Sequence, residues 1–242
     1  VLLLVNNKNI FFLIFIILIL CFSMLQPAET MTLTKSPIPS SCITKGITDL
    51  KVLALTFDDG PHPWYTPRIL SSLSEFNIKA SFFLVGKMVT RYPDIVRSIY
   101  KNGHSICNHT YNHWNLERLS PERTLFEFRS CNEAIELECE QDVKFCRPPG
   151  GHYNDSTFEA AQKVGLQMVL WNINGQDCSS ISAEKITRNV MSALKPGSII
   201  LLHDGFDSTI NAIPMIAAKA REHGYIFVTL DQLLRNYPSF KE

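Results

Sequence analysis

Neither sign of charge prevails in this 242-residue chain: 23 lysines and arginines stand against 23 aspartates and glutamates. Without a basic excess there is no electrostatic footprint for nucleic acid or for an anionic membrane surface, so any binding has to come from a shaped site. No CxxC pair occurs among the seven cysteines, which removes a cysteine zinc site and a thioredoxin-like motif. No internal repeat is visible. No apolar run reaches the roughly 20 residues that a bilayer-spanning helix needs, and the run at residues 10–22 holds thirteen. Charged residues are scarce too, at 19%, while hydrophobic ones make up 45%, a balance that excludes a disordered polymer and provides for one core in a 27.5 kDa chain.

What is present begins with that apolar run. It follows a short polar patch holding Lys8, and the order of a positive region and then an apolar one reads as a secretory signal peptide within residues 1–28, cut after Ser23 or Ala28. The alternative is an uncleaved membrane anchor, lengthened by the apolar stretch upstream. Either reading makes the protein extracytoplasmic, secreted or held to a membrane by this segment alone, and a monomer is expected. Without Cys21 six cysteines remain, Cys42, Cys107, Cys131, Cys139, Cys146 and Cys178. An even number allows up to three disulfides in an oxidising compartment, and free buried thiols acting as small hydrophobes are the other reading. Residues 29–49 are rich in Thr, Ser and Pro without periodicity and read as a linker or N-terminal arm; a single catalytic domain follows over 50–238.

From residue 50 onward, β-type runs alternate with amphipathic stretches. Strands are expected over 52–57, 80–85, 104–108, 143–147, 167–173, 198–203 and 226–230, and helices over 67–76, 93–102, 121–138, 156–164, 183–193 and 210–223. Near-continuous apolar strands separated by helices argue for an α/β fold with a parallel sheet, and seven repeats point to a barrel rather than an open sheet. Asp58 with Asp59, His109, Arg147, Asp177 and His203 each fall at or just after the C-terminal end of an expected strand, which is where barrel enzymes assemble their sites.

Each cluster suggests its own chemistry. In Thr56-Phe57-Asp58-Asp59-Gly60-Pro61 two adjacent carboxylates face opposite ways along a strand unless the chain turns, so one can bind metal while the other serves as a base. His109 and His113 form an HxxxH pair whose spacing, on a helical turn, brings two imidazoles to one side. With an aspartate they make a His₂Asp set that leaves coordination positions open, the pattern of a catalytic rather than a structural site. Arg147-Pro148-Pro149-Gly150-Gly151 is a rigid loop whose free N–H groups can point into a cavity and suit oxyanion stabilisation. Strand 198–203 ends in His203, followed by Asp204.

In this order and spacing, TFDDGP, GHSICNHTYNH, RPPGG, LWNINGQDC and ILLHD resemble the five motifs of the polysaccharide deacetylases with a NodB-type domain, carbohydrate esterase family 4, over residues 50–235. The resemblance implies a distorted (β/α) barrel of about seven strands that removes acetyl groups from N-acetylglucosamine polymers, chitin oligomers or peptidoglycan, with one divalent metal, zinc in the first place or cobalt. Carried over residue by residue, it makes Asp58 the base, Asp59, His109 and His113 the metal ligands, and His203 the general acid. Arg147 would orient the base, Asp177 would tune the acid, and the Gly150 N–H would donate to the oxyanion. Three positions depart from the pattern: Gly150 where an aromatic residue is common, Asn174 where the fourth motif begins with an acid, and Cys178 where a tryptophan commonly follows Asp177. No metal ligand is lost, but substrate shape and the tuning of His203 are affected. An O-acetyl esterase acting on xylan would use the same machinery, and a silent glycan-binding protein of the same fold is the alternative outside enzymes.

Overall fold

The computed structural model describes residues 42–236. The leader or anchor segment, its candidate cuts and Cys21 lie outside the described residues, among which no helix is long and apolar enough to cross a membrane. The chain runs β1 (Val52–Gly60), α1 (Tyr65–Glu75), β2 (Ser81–Leu84), α2 (Gly86–Arg91), α3 (Pro93–Lys101), β3 (Ser105–Asn108) and α4 (Pro121–Glu136). It continues through β4 (Phe145–Cys146), α5 (Asp155–Lys163), β5 (Gln167–Met168), β6 (Ile173–Asn174), α6 (Ala183–Ala193), β7 (Ser198–His203), α7 (Asp207–Glu222), β8 (Ile226–Phe227) and α8 (Leu230–Asn236). All strand pairs are parallel, in the order β5-β4-β3-β2-β1-β7-β6, with β8 added to the start of β1. This is the distorted barrel that the motifs lead one to expect.

The distortion has a local cause. Residues 167–173, expected as one strand, form two short strands at opposite ends of the sheet order, so the chain itself links the two edges. Between them the Val169 and Leu170 carbonyls accept hydrogen bonds from the Arg147 guanidinium, which a continuous ladder would not allow. Residues 42–46, within the expected arm, pair across the remaining gap. Ile43 bridges Val169 in parallel and Lys45 bridges Ser198 in antiparallel fashion, giving the open edges partners. Only glycine fits where this segment meets the loop before β7: Gly197 has φ 78° and a Cβ there would sit 2.2 Å from the Gly46 carbonyl oxygen.

Alternation along β1 sorts the core into two layers. Leu53, Leu55 and Phe57 pack outward under the helices, while Val52 and Ala54 join Phe83, Cys107, Phe145, Val169, Ile199, Leu230 and Leu233 inside the barrel. Each fully buried Val, Leu, Ile or Phe among them contributes about 1.5–3 kcal/mol. Leu230 begins a helix instead of ending the expected 226–230 strand, and with Leu233 it fills the interior. By the same period of two, Thr56 and Asp58 continue the inward-facing set, so the β1 ladder carries a carboxylate to the mouth of the barrel.

All six described cysteines are free thiols. Burial pushes the thiols of Cys107 and Cys146 upward and that of Cys131 up to about 12, which keeps them protonated and unreactive.

Candidate active site

The two aspartates of β1 are separated by a bulge. Pairing with β2 shifts register between Phe57 and Gly60, and Asp59 takes φ 75°, a left-handed conformation that is costly for a residue with a Cβ. The expected re-aiming therefore happens inside the strand. The Asp58 carboxylate is left 5% exposed and the Asp59 carboxylate 40% exposed, which separates a buried group from an open one.

Asp58 is paired with Arg147, whose side chain is fully buried. Arg147 Nη1 donates to Asp58 Oδ1 at 2.6 Å and to Thr56 Oγ1 at 2.9 Å, Nε donates to Val169 O at 3.0 Å, and Nη2 donates to Leu170 O at 2.9 Å. The guanidinium lies over the Phe83 ring, 3.9 Å from its centroid. Thr56 Oγ1 in turn donates to Ile200 O at 2.7 Å. A buried ion pair is tolerated when most of its remaining donors are satisfied, and here four of the five guanidinium N–H groups have acceptors.

His109 and His113 sit on a loop. The residues between them are not helical, contrary to the helical-turn expectation: Thr110 and His113 have φ 65° and 63°. The loop is held from both sides. Thr110 and Tyr111 carbonyls accept from the first two N–H groups of α2, a short helix with no sequence signal, and the Asn112 backbone and side-chain amides donate to the Glu127 carboxylate at 2.7 Å each. The result is the convergence that spacing alone suggested, with ring centroids 5.0 Å apart.

Asp59 Oδ1 lies 3.0 Å from His113 Nε2 and 3.3 Å from His109 Nε2. The other nitrogen of His109 is 2.8 Å from the Arg147 carbonyl, which can only accept, so Nδ1 carries a proton and Nε2 is presented to Asp59. Nε2 then faces the carboxylate either as the second N–H of an imidazolium or as a lone pair that a cation reconciles with it. Burial opposes ionisation of Asp59, but the hydrogen bonds and charges of His109 and His113 outweigh it and hold this carboxyl well below the usual range. Ligand atoms of Asp59, His109 and His113 all lie within 4.8 Å of one another, so this donor set fits a single divalent metal.

Across the mouth, His203 is the register partner of Asp58. Asp177 is fully buried on the turn after β6; its Oδ1 is 2.8 Å from His203 Nδ1, and its Oδ2 accepts from the His203 backbone N–H at 2.7 Å and from Thr209 Oγ1 at 2.6 Å. Burial would push the His203 imidazolium down. Hydrogen bonds to Asp177 and Cys178 and the charges of Asp177 and Asp58 override it and push His203 up to about 11. Gly150, exposed and at φ 65°, has no acceptor for its N–H among the described residues, and a Cβ there would come within 2.8 Å of the His152 ring.

Sequence reasoning missed three supports. Thr56 belongs to the same strand face as Asp58, a signal present in the period of two. Thr209 gave none. Asp204 is buried beneath Gly60 and is pushed up to about 7, by burial first and by the charge of Asp59, against hydrogen bonds from Thr66 and His62.

The model of the family described as polysaccharide deacetylase matches residues 45–169. The chain is 36% identical over 211 residues to a peptidoglycan-N-acetylglucosamine deacetylase of Bacillus cereus, covering 85% of this chain and 99% of that protein. It is 31% identical over 194 residues to a chitooligosaccharide deacetylase of a Bradyrhizobium species, covering 74% and 89%. Among solved structures it is similar to a peptidoglycan N-acetylglucosamine deacetylase in complex with 4-naphthalen-1-yl-N-oxidanyl-benzamide, with a TM-score of 0.78 and 32% identity over 83% of this chain and 94% of that one.

Proposed function

This chain belongs to the polysaccharide deacetylase family, and on that premise we propose that it is a metal-dependent N-deacetylase acting on N-acetylglucosamine-containing glycans outside the cytoplasm, peptidoglycan or chito-oligosaccharides. The observation that carries the reading is the meeting, at one end of the barrel, of a buried carboxylate on an arginine, an Asp/His/His donor set and an Asp-bound histidine. Exposed aromatics nearby suit a sugar: Trp114 and Phe126 line a cavity of about 410 Å³ beside the His113 loop.

Asp59, His109 and His113 would hold the metal. When bound, it supplies Lewis acidity toward water and the acetamide carbonyl. Asp58, kept in place by Arg147 and largely shielded from bulk water, takes the proton of the attacking water. The Gly150 N–H donates to the oxygen on which negative charge develops. His203, held protonated by Asp177, gives its proton to the departing amine, so that acetate and a free glucosamine residue leave. Each role comes from a different strand end, which is why residues as far apart in sequence as Asp58 and His203 can act on one bond.

Acetate release with one equivalent of zinc, measured side by side on chito-oligosaccharides, peptidoglycan and acetylated xylan, tests the substrate class. Release from either of the first two, with a free amine formed, supports the proposal. Release from xylan alone would make the protein an O-acetyl esterase.

A further inference from the structure

We propose that Asp177, Cys178 and His203 form a second metal site, for a thiophilic divalent cation such as zinc or cadmium, whose occupation silences the catalytic acid. A carboxylate oxygen, a sulfur and a ring nitrogen of these residues lie within 4.8 Å of one another, in a group separate from Asp59, His109 and His113. Thiolate, imidazole and carboxylate together are a donor set of the kind zinc takes. Among the described residues Cys178 is the exposed cysteine; Cys107, Cys131, Cys139 and Cys146 are buried and Cys42 is partly so.

The donors are placed before any cation arrives. Gln176 at φ 60° and Ser180 at φ 53° bracket the turn that carries Asp177 and Cys178. The Gln176 N–H donates to Asn174 Oδ1 at 2.7 Å, and the Asn189 amide donates to Gly175 O at 3.0 Å, pinning the approach to the turn. Thr209 and the His203 backbone fix the Asp177 carboxylate, and the His203 ring already interacts with both Asp177 and Cys178. Little ordering is left for a cation to impose.

The inference rests on the deacetylase reading, because silencing works through the acid role of His203. Binding forms one metal–sulfur, one metal–nitrogen and one metal–oxygen bond and sends the thiol proton and one of the two imidazolium protons to solvent. The ring that remains is a neutral, metal-bound imidazole, no longer an imidazolium acid for the departing amine. Acid catalysis of this kind contributes about 10²–10⁴-fold, so activity falls by that order while the first metal stays bound. Zinc would activate the enzyme at one equivalent and inhibit it beyond.

The test is a cadmium titration of the full chain carrying one equivalent of zinc, following ultraviolet thiolate absorption, bound zinc and acetate release from chito-oligosaccharides together. Thiolate–cadmium absorption should grow with the added equivalent as acetate release falls about 100-fold or more. Cys178→Ser should abolish the absorption change and the cadmium-dependent fall in acetate release, each read against that variant's own cadmium-free baseline, while keeping the first equivalent of zinc, and His203→Gln, inactive from the outset, should also lose the absorption. Absorption that survives in Cys178→Ser, or that appears without loss of activity, overturns the site. A wild type that releases acetate and shows no absorption change overturns it too and leaves the deacetylase reading standing. Absorption that depends on Cys178, in a protein that releases no acetate at any zinc level, keeps the site and removes that reading instead.

Discussion

Replacing Asp177 by asparagine isolates the tuning of the proposed acid from its presence. In the wild type both Asp177 oxygens are used, one facing His203 Nδ1 at 2.8 Å and the other accepting from the His203 backbone and Thr209. An asparagine keeps the shape but has one acceptor. If its oxygen serves the two donors on the Oδ2 side, its NH₂ is turned toward Nδ1, which must then accept, and the neutral imidazole is favoured. The hydrogen bond and charge that lift His203 to about 11 are gone, while the burial that depresses it remains. The basic limb of kcat/KM, which follows loss of the His203 proton, should therefore drop to about 6.5 or below. In the wild type it should lie between about 6.5 and about 11, since a divalent cation nearby lowers it from the metal-free value. At pH 7.5 the variant would be roughly tenfold less protonated than a histidine still fully charged. Stability moves with the same sign. A folded value raised above the unfolded one stabilises the protein fully below about pH 6.5, and that contribution is lost as pH rises toward about 11, so the wild type's pH-dependent excess should vanish in the variant. Acetate-release profiles between about pH 5 and pH 10, with zinc content measured alongside, decide the matter. A basic limb that stays in place at full zinc occupancy would refute the tuning role.

His113→Ala removes one of two imidazoles facing Asp59, and elemental analysis should find stoichiometric zinc lost; full occupancy would mean the ligands are misassigned. Arg147→Met leaves Asp58 buried without its cation and two carbonyls without donors, and should cost about 3–5 kcal/mol in denaturant unfolding; a loss below about 1 kcal/mol would show that the pair is not integral to the fold. Gly150→Ala places a Cβ at φ 65° against the His152 ring and should lower stability by about 1–2 kcal/mol and reduce kcat with zinc unchanged; unchanged stability and kcat would contradict the strained, functional loop.

Legibility followed chemistry more closely than geometry. β1 and β7 could be read because their apolar runs are nearly continuous, and the acids and histidines could be singled out because each stands at such a run's end. The two halves of 167–173 could not, since apolar composition does not say that pairing switches from one sheet edge to the other, and the reason, the Arg147 guanidinium taking two carbonyls, is a contact distant in sequence. The HxxxH spacing named the right pair for the wrong backbone: left-handed Thr110 and His113 do what a helical turn was expected to do. Helix α2 is six residues opened by a glycine, and its first N–H groups are satisfied by the histidine loop, not by a cap. Asp204 closes the ILLHD motif, but nothing in that run says the carboxyl is buried beneath Gly60, and Thr209 supports the site from a residue type ordinary at helix starts, so no local pattern marks it.

In the proposed mechanism Asp58 activates the water while Asp59 and the two histidines hold the metal. Asp58→Asn keeps the volume and the metal ligands, so the variant should bind one equivalent of zinc and release no measurable acetate from chito-oligosaccharides at any pH. Acetate release at the wild-type rate, or loss of zinc from this variant, would contradict the division of labour between the two adjacent aspartates on which the account depends.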